Sequence, residues 1–160
     1  MKFSKQVTIN APAQKVWDVL GRDFANIGVW SRSVAHSAPN TEAARVNNSP
    51  VGGRVCNTSF GYVSEEFTAY DDDKMSLSFK GVFDSKMFKS LISTNELTQV
   101  DENTTTVMIT PQIELTFIGT LMSPMIKMQL NKVIDQILDD LKYYVENGKP
   151  SPEKLASQKK

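Results

Sequence analysis

The segment from Ser123 to Gly148 constrains the fold more than any other part of the chain. Ile126, Leu130, Val133, Ile137, Leu141 and Tyr144 recur in steps of 4, 3, 4, 4 and 3. Lys127, Asn131, Asp135, Asp139, Lys142 and Glu146 recur opposite them. That spacing predicts one long amphipathic helix. Ser123 can cap it, Pro124 fits its first turn, and Gly148 can end it in the left-handed conformation. From Pro124 to Asn147 the helix spans roughly 36 Å. An apolar stripe of that length needs an equally long apolar surface to lie on.

The preceding residues predict an antiparallel sheet that supplies this surface. Residues 2–10 alternate, with Phe3, Lys5, Val7 and Ile9 on one side of a strand. Asn10-Ala11-Pro12 stops the strand and opens a short helix with Val16, Trp17 and Leu20 inward, closed by Gly21. A further short turn places Phe24 and Ile27 inward, up to Trp30. Residues 32–38 form a strand with Val34 and His36 on one face, followed by a loop from Pro39 to Gly53. A meander follows, over residues 54–60, 62–70, 75–82, 87–97 and 105–116. Pro111 predicts a bulge or an edge position in its last strand. The polar segment after Gly148, with Pro150 and Pro152, reads as loose. The expected organisation is one α+β domain over residues 1–147 and a flexible tail over 148–160.

Charge and rare residues exclude several functions. Lys and Arg number 18 and Asp and Glu 18, so the net charge is zero. This argues against nucleic-acid binding by bulk charge and against a polybasic membrane-surface protein, while leaving room for a local basic patch. One cysteine (Cys56) and one histidine (His36) allow no internal disulfide and no four-ligand zinc site. Asp71-Asp72-Asp73 lacks the glycine and terminal glutamate of a calcium loop, and no phosphate-cradling or dinucleotide motif is present. No metal and no cofactor are expected. The chain shows no targeting segment and no apolar run of about 18 residues, so the expectation is a cytoplasmic protein without stable membrane insertion.

The order of strand, two short helices, six-stranded meander and long helix resembles the helix-grip fold of the START and birch-pollen-allergen superfamily (SRPBCC). Val7-Thr8-Ile9-Asn10-Ala11-Pro12-Ala13-Gln14-Lys15-Val16-Trp17 is similar to the opening of the polyketide cyclase/dehydrase and lipid-transport family. Phe24 and Trp30 match its next aromatic positions. Pro50-Val51-Gly52-Gly53-Arg54 resembles its Gly-x-x-Arg strand entry, and Val63 to Asp71 its Glu-bearing strand and Tyr-Asp turn. The resemblance covers residues 2–147. It implies a curved sheet of about seven strands around the C-terminal helix, with a hydrophobic cavity between them. Members bind lipids, sterols, polyketides, plant hormones or quinones, and a few are cyclases or dehydratases.

The implied function is binding of a small hydrophobic ligand (lipid, polyketide-like or sterol-like) as carrier or sensor. The alternative is a cyclase or dehydratase using the same cavity, with His36, Glu65 and Tyr62 or Tyr70 as its acid–base candidates. A third possibility is an interaction module presenting an exposed apolar patch. Alternation places Arg54 and Glu65 on adjacent strands, as a polar anchor for a ligand or as a structural ion pair. His36 is either a ligand partner or a structural histidine. Cys56 reads as a small buried hydrophobe. Phe67, Phe79, Phe83, Phe88, Phe117, Met122 and Met125 divide between core and pocket wall, and the 83–88 loop is a gate or a plain hairpin turn.

Overall fold

Apolar–polar alternation produces seven strands: β1 (Lys5–Ile9), β2 (Val34–Pro39), β3 (Gly53–Thr58), β4 (Gly61–Asp71), β5 (Ser76–Phe83), β6 (Phe88–Asp101) and β7 (Thr104–Leu115). In the computed structural model, which describes residues 1–159, they form one antiparallel sheet ordered β1-β7-β6-β5-β4-β3-β2. Strands β2 to β7 each pair with a chain neighbour, and β1 joins the far edge beside β7. The segment between β1 and β2 must therefore cross from one edge to the other. It does so through α1 (Ala13–Trp17), a π turn (Asp18–Arg22), a 3-10 turn (Phe24–Asn26) and α2 (Ile27–Trp30). Helices α3 (Phe117–Leu121), α4 (Ser123–Asn147) and α5 (Pro152–Ser157) complete the chain. The sheet curves around α4, which is the helix-grip arrangement expected from the element order.

Helix α4 buries Ile126, Leu130, Leu138, Leu141 and Val145 against the sheet. Gly148 ends it at φ 69°, donating its N–H to the Tyr144 carbonyl at 2.8 Å. Pro111 makes neither a bulge nor an edge. It pairs with Ser93 of β6 in unbroken register. On the β1 side its carbonyl accepts from the Phe3 N–H at 3.3 Å, and the reciprocal bond is missing because proline has no N–H.

The crossing segment is pinned by polar contacts. The Trp17 indole N–H donates to Asp72 at 2.7 Å, and Arg22 grips the same carboxylate through Nε and Nη2. These bonds, the Arg22 ones first, pull the Asp72 carboxyl down to about 2. The native state therefore favours the ionised form. Asp72's contribution to stability is complete above the ordinary carboxylate value and is lost as pH falls through about 2. In an acid titration, Asp72→Asn is expected to remove that part of the pH dependence.

The end of the chain corrects the expectation of a flexible tail. Ser151 caps α5 by accepting the Lys154 N–H at 3.1 Å, and Pro152 occupies the first turn. The prolines that suggested a loose segment instead start a helix. Lys154 is fully buried, and its Nζ donates to the Val34 carbonyl at 2.8 Å. Burial lowers its pKa. Asp140, buried in α4, accepts from the Ser151 hydroxyl at 2.8 Å and from the Arg32 backbone and guanidinium.

Candidate ligand-binding site

Three buried clusters meet between the sheet and α4. The first joins Ile9, Val16, Leu20, Ile27 and Trp30 to Leu138, Leu141 and Val145. The second is aromatic: Trp17, Phe24, Phe67, Tyr70 and Phe79, with Leu77. The third holds Phe88, Ile113, Ile126 and Leu130. At their junction lies a cavity of about 110 Å³. Leu20, Ile27 and Trp30 wall it from the crossing segment, Val34 from the start of β2, and Leu130, Val133, Ile134 and Ile137 from α4. The sheet contributes Arg54, Cys56, Val63, Glu65, Phe79, Phe83, Leu91, Ser93, Asn95, Ile109, Pro111 and Ile113.

The polar end of this apolar space is built by strand pairing. Arg54 of β3 lies directly opposite Glu65 of β4. Both are buried, and Nε of Arg54 donates to Oε2 of Glu65 at 2.5 Å. Nη1 donates to the Phe24 carbonyl at 3.0 Å, and the guanidinium lies 3.9 Å from the Phe24 ring centroid. Two glycines make room. A Cβ on Gly53 would stand 2.0 Å from the Glu65 carbonyl oxygen, and Gly81, opposite Glu65 on β5, puts no side chain beside the carboxylate. Ser93 and Asn95 add a second buried polar pair, the hydroxyl donating to Oδ1 at 3.2 Å. Trp30 carries a buried indole N–H with no acceptor among the described residues.

Cys56 sits on the same wall. Burial pushes its thiol up to about 12, outweighing the nearby Arg54 charge. The thiol is thus a neutral apolar group at neutral pH. Relative to the ordinary value of 9.0, native alkylation at pH 8 is expected to be roughly thousandfold slower than in the unfolded chain. Iodoacetamide labelling with and without denaturant measures this. Equal rates would mean that the wall is open.

The family model described as polyketide cyclase / dehydrase and lipid transport matches residues 1–146. The chain belongs to this family. Solved structures of the same fold include a START superfamily protein from Mycobacterium smegmatis (TM-score 0.71, 15% identity, covering 91% of this chain and 97% of that one). Another is XoxI from Bacillus cereus (TM-score 0.71, 12% identity, 91% and 96% covered). A third is the Zhui aromatase/cyclase from Streptomyces sp. R1128 (TM-score 0.69, 10% identity, 94% and 99% covered). At these identities the likeness is one of fold. No curated protein matches the chain.

Within this family member the residues singled out in the sequence separate clearly. Arg54, Glu65, Phe79 and Phe83 line the cavity. Phe67 is buried behind it, with its ring centroid 4.4 Å from that of Phe24. Phe88 is buried against Phe83 at 5.1 Å, in the third cluster. His36 is exposed and faces a groove on the outer surface, with Arg32, Pro150 and Lys154, and not the cavity. The reason is a bulge. Val34 pairs with Thr58, but His36 pairs with Asn57, so the register shifts between them and reverses the face that simple alternation predicts. Phe117, Met122 and Met125 are exposed and also lie off the cavity: α3 packs through Gly119 against Met87, and the first turn of α4 packs through Ile126. Tyr62 is about half exposed, and Tyr70 joins the Trp17–Asp72 cluster. The 83–88 hairpin is tied down at its base, where Met87 and Lys86 carbonyls accept from Thr116.

Sequence reading missed Trp30, Ser93, Asn95 and the α4 residues Val133 and Ile134 as cavity wall. Ser93 and Asn95 did leave a signal. They share strand parity with Leu91 and Leu97, so two polar groups occupy the inward face of β6.

Proposed function

We propose that this protein binds a small apolar molecule carrying one hydrogen-bonding end, as a carrier or sensor and not as a catalyst. One observation carries this reading: an apolar cavity between sheet and α4 that also presents a few buried polar groups. Affinity comes from apolar burial. Arg54, Glu65, Ser93 and Asn95 orient the polar end. A ligand oxygen would also relieve the Trp30 N–H, since a buried donor without an acceptor costs about 1–3 kcal/mol. The volume of about 110 Å³ is of the order that admits a single ring or a short acyl segment. It lies well below the roughly 300–1,000 Å³ of sites for larger organic ligands. A sterol-like body therefore requires α4 to move off the sheet. Binding is favoured over turnover because His36, Tyr62 and Tyr70 stand away from the cavity, and Glu65 is engaged by Arg54.

The test is native mass spectrometry with organic extraction, then uptake from a panel graded in size from single-ring phenols and short fatty acids to sterols. Uptake of the small members is expected, and its loss in Val133→Phe, which fills the cavity from α4. No bound species and no uptake from the panel would refute the proposal.

A further inference from the structure

Six large apolar side chains crowd one exposed end of the molecule. Phe117 is 81% exposed, Leu121 71% and Met128 67%, with Ile118, Met122 and Met125 also open to solvent. They belong to the α3–α4 corner and none lines the cavity. The local packing forces them outward. In α3 only Gly119 is buried, and a Cβ there would stand 2.2 Å from the Met87 carbonyl oxygen. The helix therefore lies flat on the β5–β6 hairpin through its glycine, and its bulky residues take the opposite side. A monomeric soluble protein rarely exposes such a contiguous cluster without a use for it.

Charge around the corner identifies the partner. From residue 115 to residue 134 the chain contains Lys127 and Lys132 and no acidic residue. Met125, Met128 and Lys132 follow one another along one flank of α4 at helical spacing. Lys86 is held beside the start of α3, where its carbonyl accepts from the Thr116 hydroxyl at 2.6 Å. Lys86, Lys127 and Lys132 are exposed and enter no ion pair among the described residues. The bordering acids are largely engaged: Glu114 by Lys89 and Ser90, Asp135 by Lys5. Asp84, exposed on the hairpin, and Asp139, exposed on α4, are the remaining acids close in sequence to these lysines. A chain of zero net charge thus carries a local cationic rim around an apolar tip.

We propose that the α3–α4 corner docks this protein reversibly on an anionic lipid bilayer, the apolar side chains entering the headgroup boundary and the three lysines meeting lipid phosphates. A second copy is the less suitable occupant, because a two-fold contact through this corner brings the same lysines together. No described helix is long and apolar enough to cross a membrane, so the attachment is peripheral. Leu130 and Val133, the first α4 residues on the cavity wall, follow within two turns of the corner. A ligand drawn from the bilayer would thus travel a short distance.

Sedimentation with vesicles of phosphatidylcholine and phosphatidylserine tests the proposal. The protein is expected to pellet with vesicles containing about a third phosphatidylserine and to remain in solution with pure phosphatidylcholine. Replacing Lys86, Lys127 and Lys132 by Gln is expected to weaken binding on the order of a hundredfold. Phe117→Ser/Leu121→Ser should abolish pelleting yet retain uptake of small apolar ligands in solution, so failure of either reading shows separately. Phe117→Trp should give a blue-shifted emission only with anionic vesicles. No pelleting at low salt, equal binding to both lipids, or a dimer in sedimentation velocity that Leu121→Ser dissolves would each overturn it.

Discussion

Glu65→Ala is expected to destabilise the protein by about 3–5 kcal/mol, because it leaves the Arg54 guanidinium buried without its counter-charge. For a chain of this size that corresponds to a fall in melting temperature of roughly 6–20 °C. The Phe24 carbonyl and the Phe24 ring remain as partners for Arg54, but neither carries a full negative charge. Arg54→Met/Glu65→Leu removes both charges and keeps apolar volume. It is expected to recover most of the loss, since apolar replacement of a whole buried pair is often neutral or better. Thermal denaturation of Arg54→Met, Glu65→Leu and the double variant gives the coupling directly. If the double variant is as unstable as Glu65→Ala, packing rather than charge governs the site. Ligand uptake should behave differently. The double variant is expected to fold but to lose discrimination for the polar end of its ligand.

Asp140→Ala is expected to cost about 3 kcal/mol and to free α5 while leaving the sheet intact. The carboxylate accepts the Arg32 guanidinium, the Arg32 backbone N–H and the Ser151 hydroxyl. Arg32 is partly exposed and can turn to water, which places the loss below that of the Arg54–Glu65 pair. Hydrogen exchange reports the outcome. Amides of residues 154–157 should lose protection, and those of β6 and β7 should keep theirs. Unchanged protection in α5 would show that Lys154, bonded to Val34, holds the segment alone.

Part of the candidate cavity wall was legible in the sequence: Arg54, Glu65, Phe79 and Phe83 line it. Alternation put Arg54 and Glu65 on adjacent strands; that they lie directly opposite each other is set by the two-residue turn at Ser59-Phe60, which fixes the register of β3 and β4. Phe79 and Phe83 follow the same parity on β5. His36 failed because a bulge adds one residue, and parity cannot survive an odd insertion. Phe117, Met122 and Met125 were read by composition as core or pocket, but whether an apolar residue is covered depends on which face of its helix packs inward, and in α3 and the first turn of α4 that face carries Gly119 and Ile126. The tail failed for a related reason: its partners Asp140 and Val34 lie 11 and 120 residues away.

By itself, therefore, the sequence determined what repeats locally: the period of α4, its left-handed glycine stop, the alternation of the meander and the placing of Arg54 and Glu65 on adjacent strands. Those properties follow from backbone geometry shared by every helix and strand. Only the tertiary structure decided which apolar groups are left without cover, how large the space between sheet and helix is, and whether the last helix docks. Each of these is set by the distance between elements remote in the chain, and no local period encodes that distance.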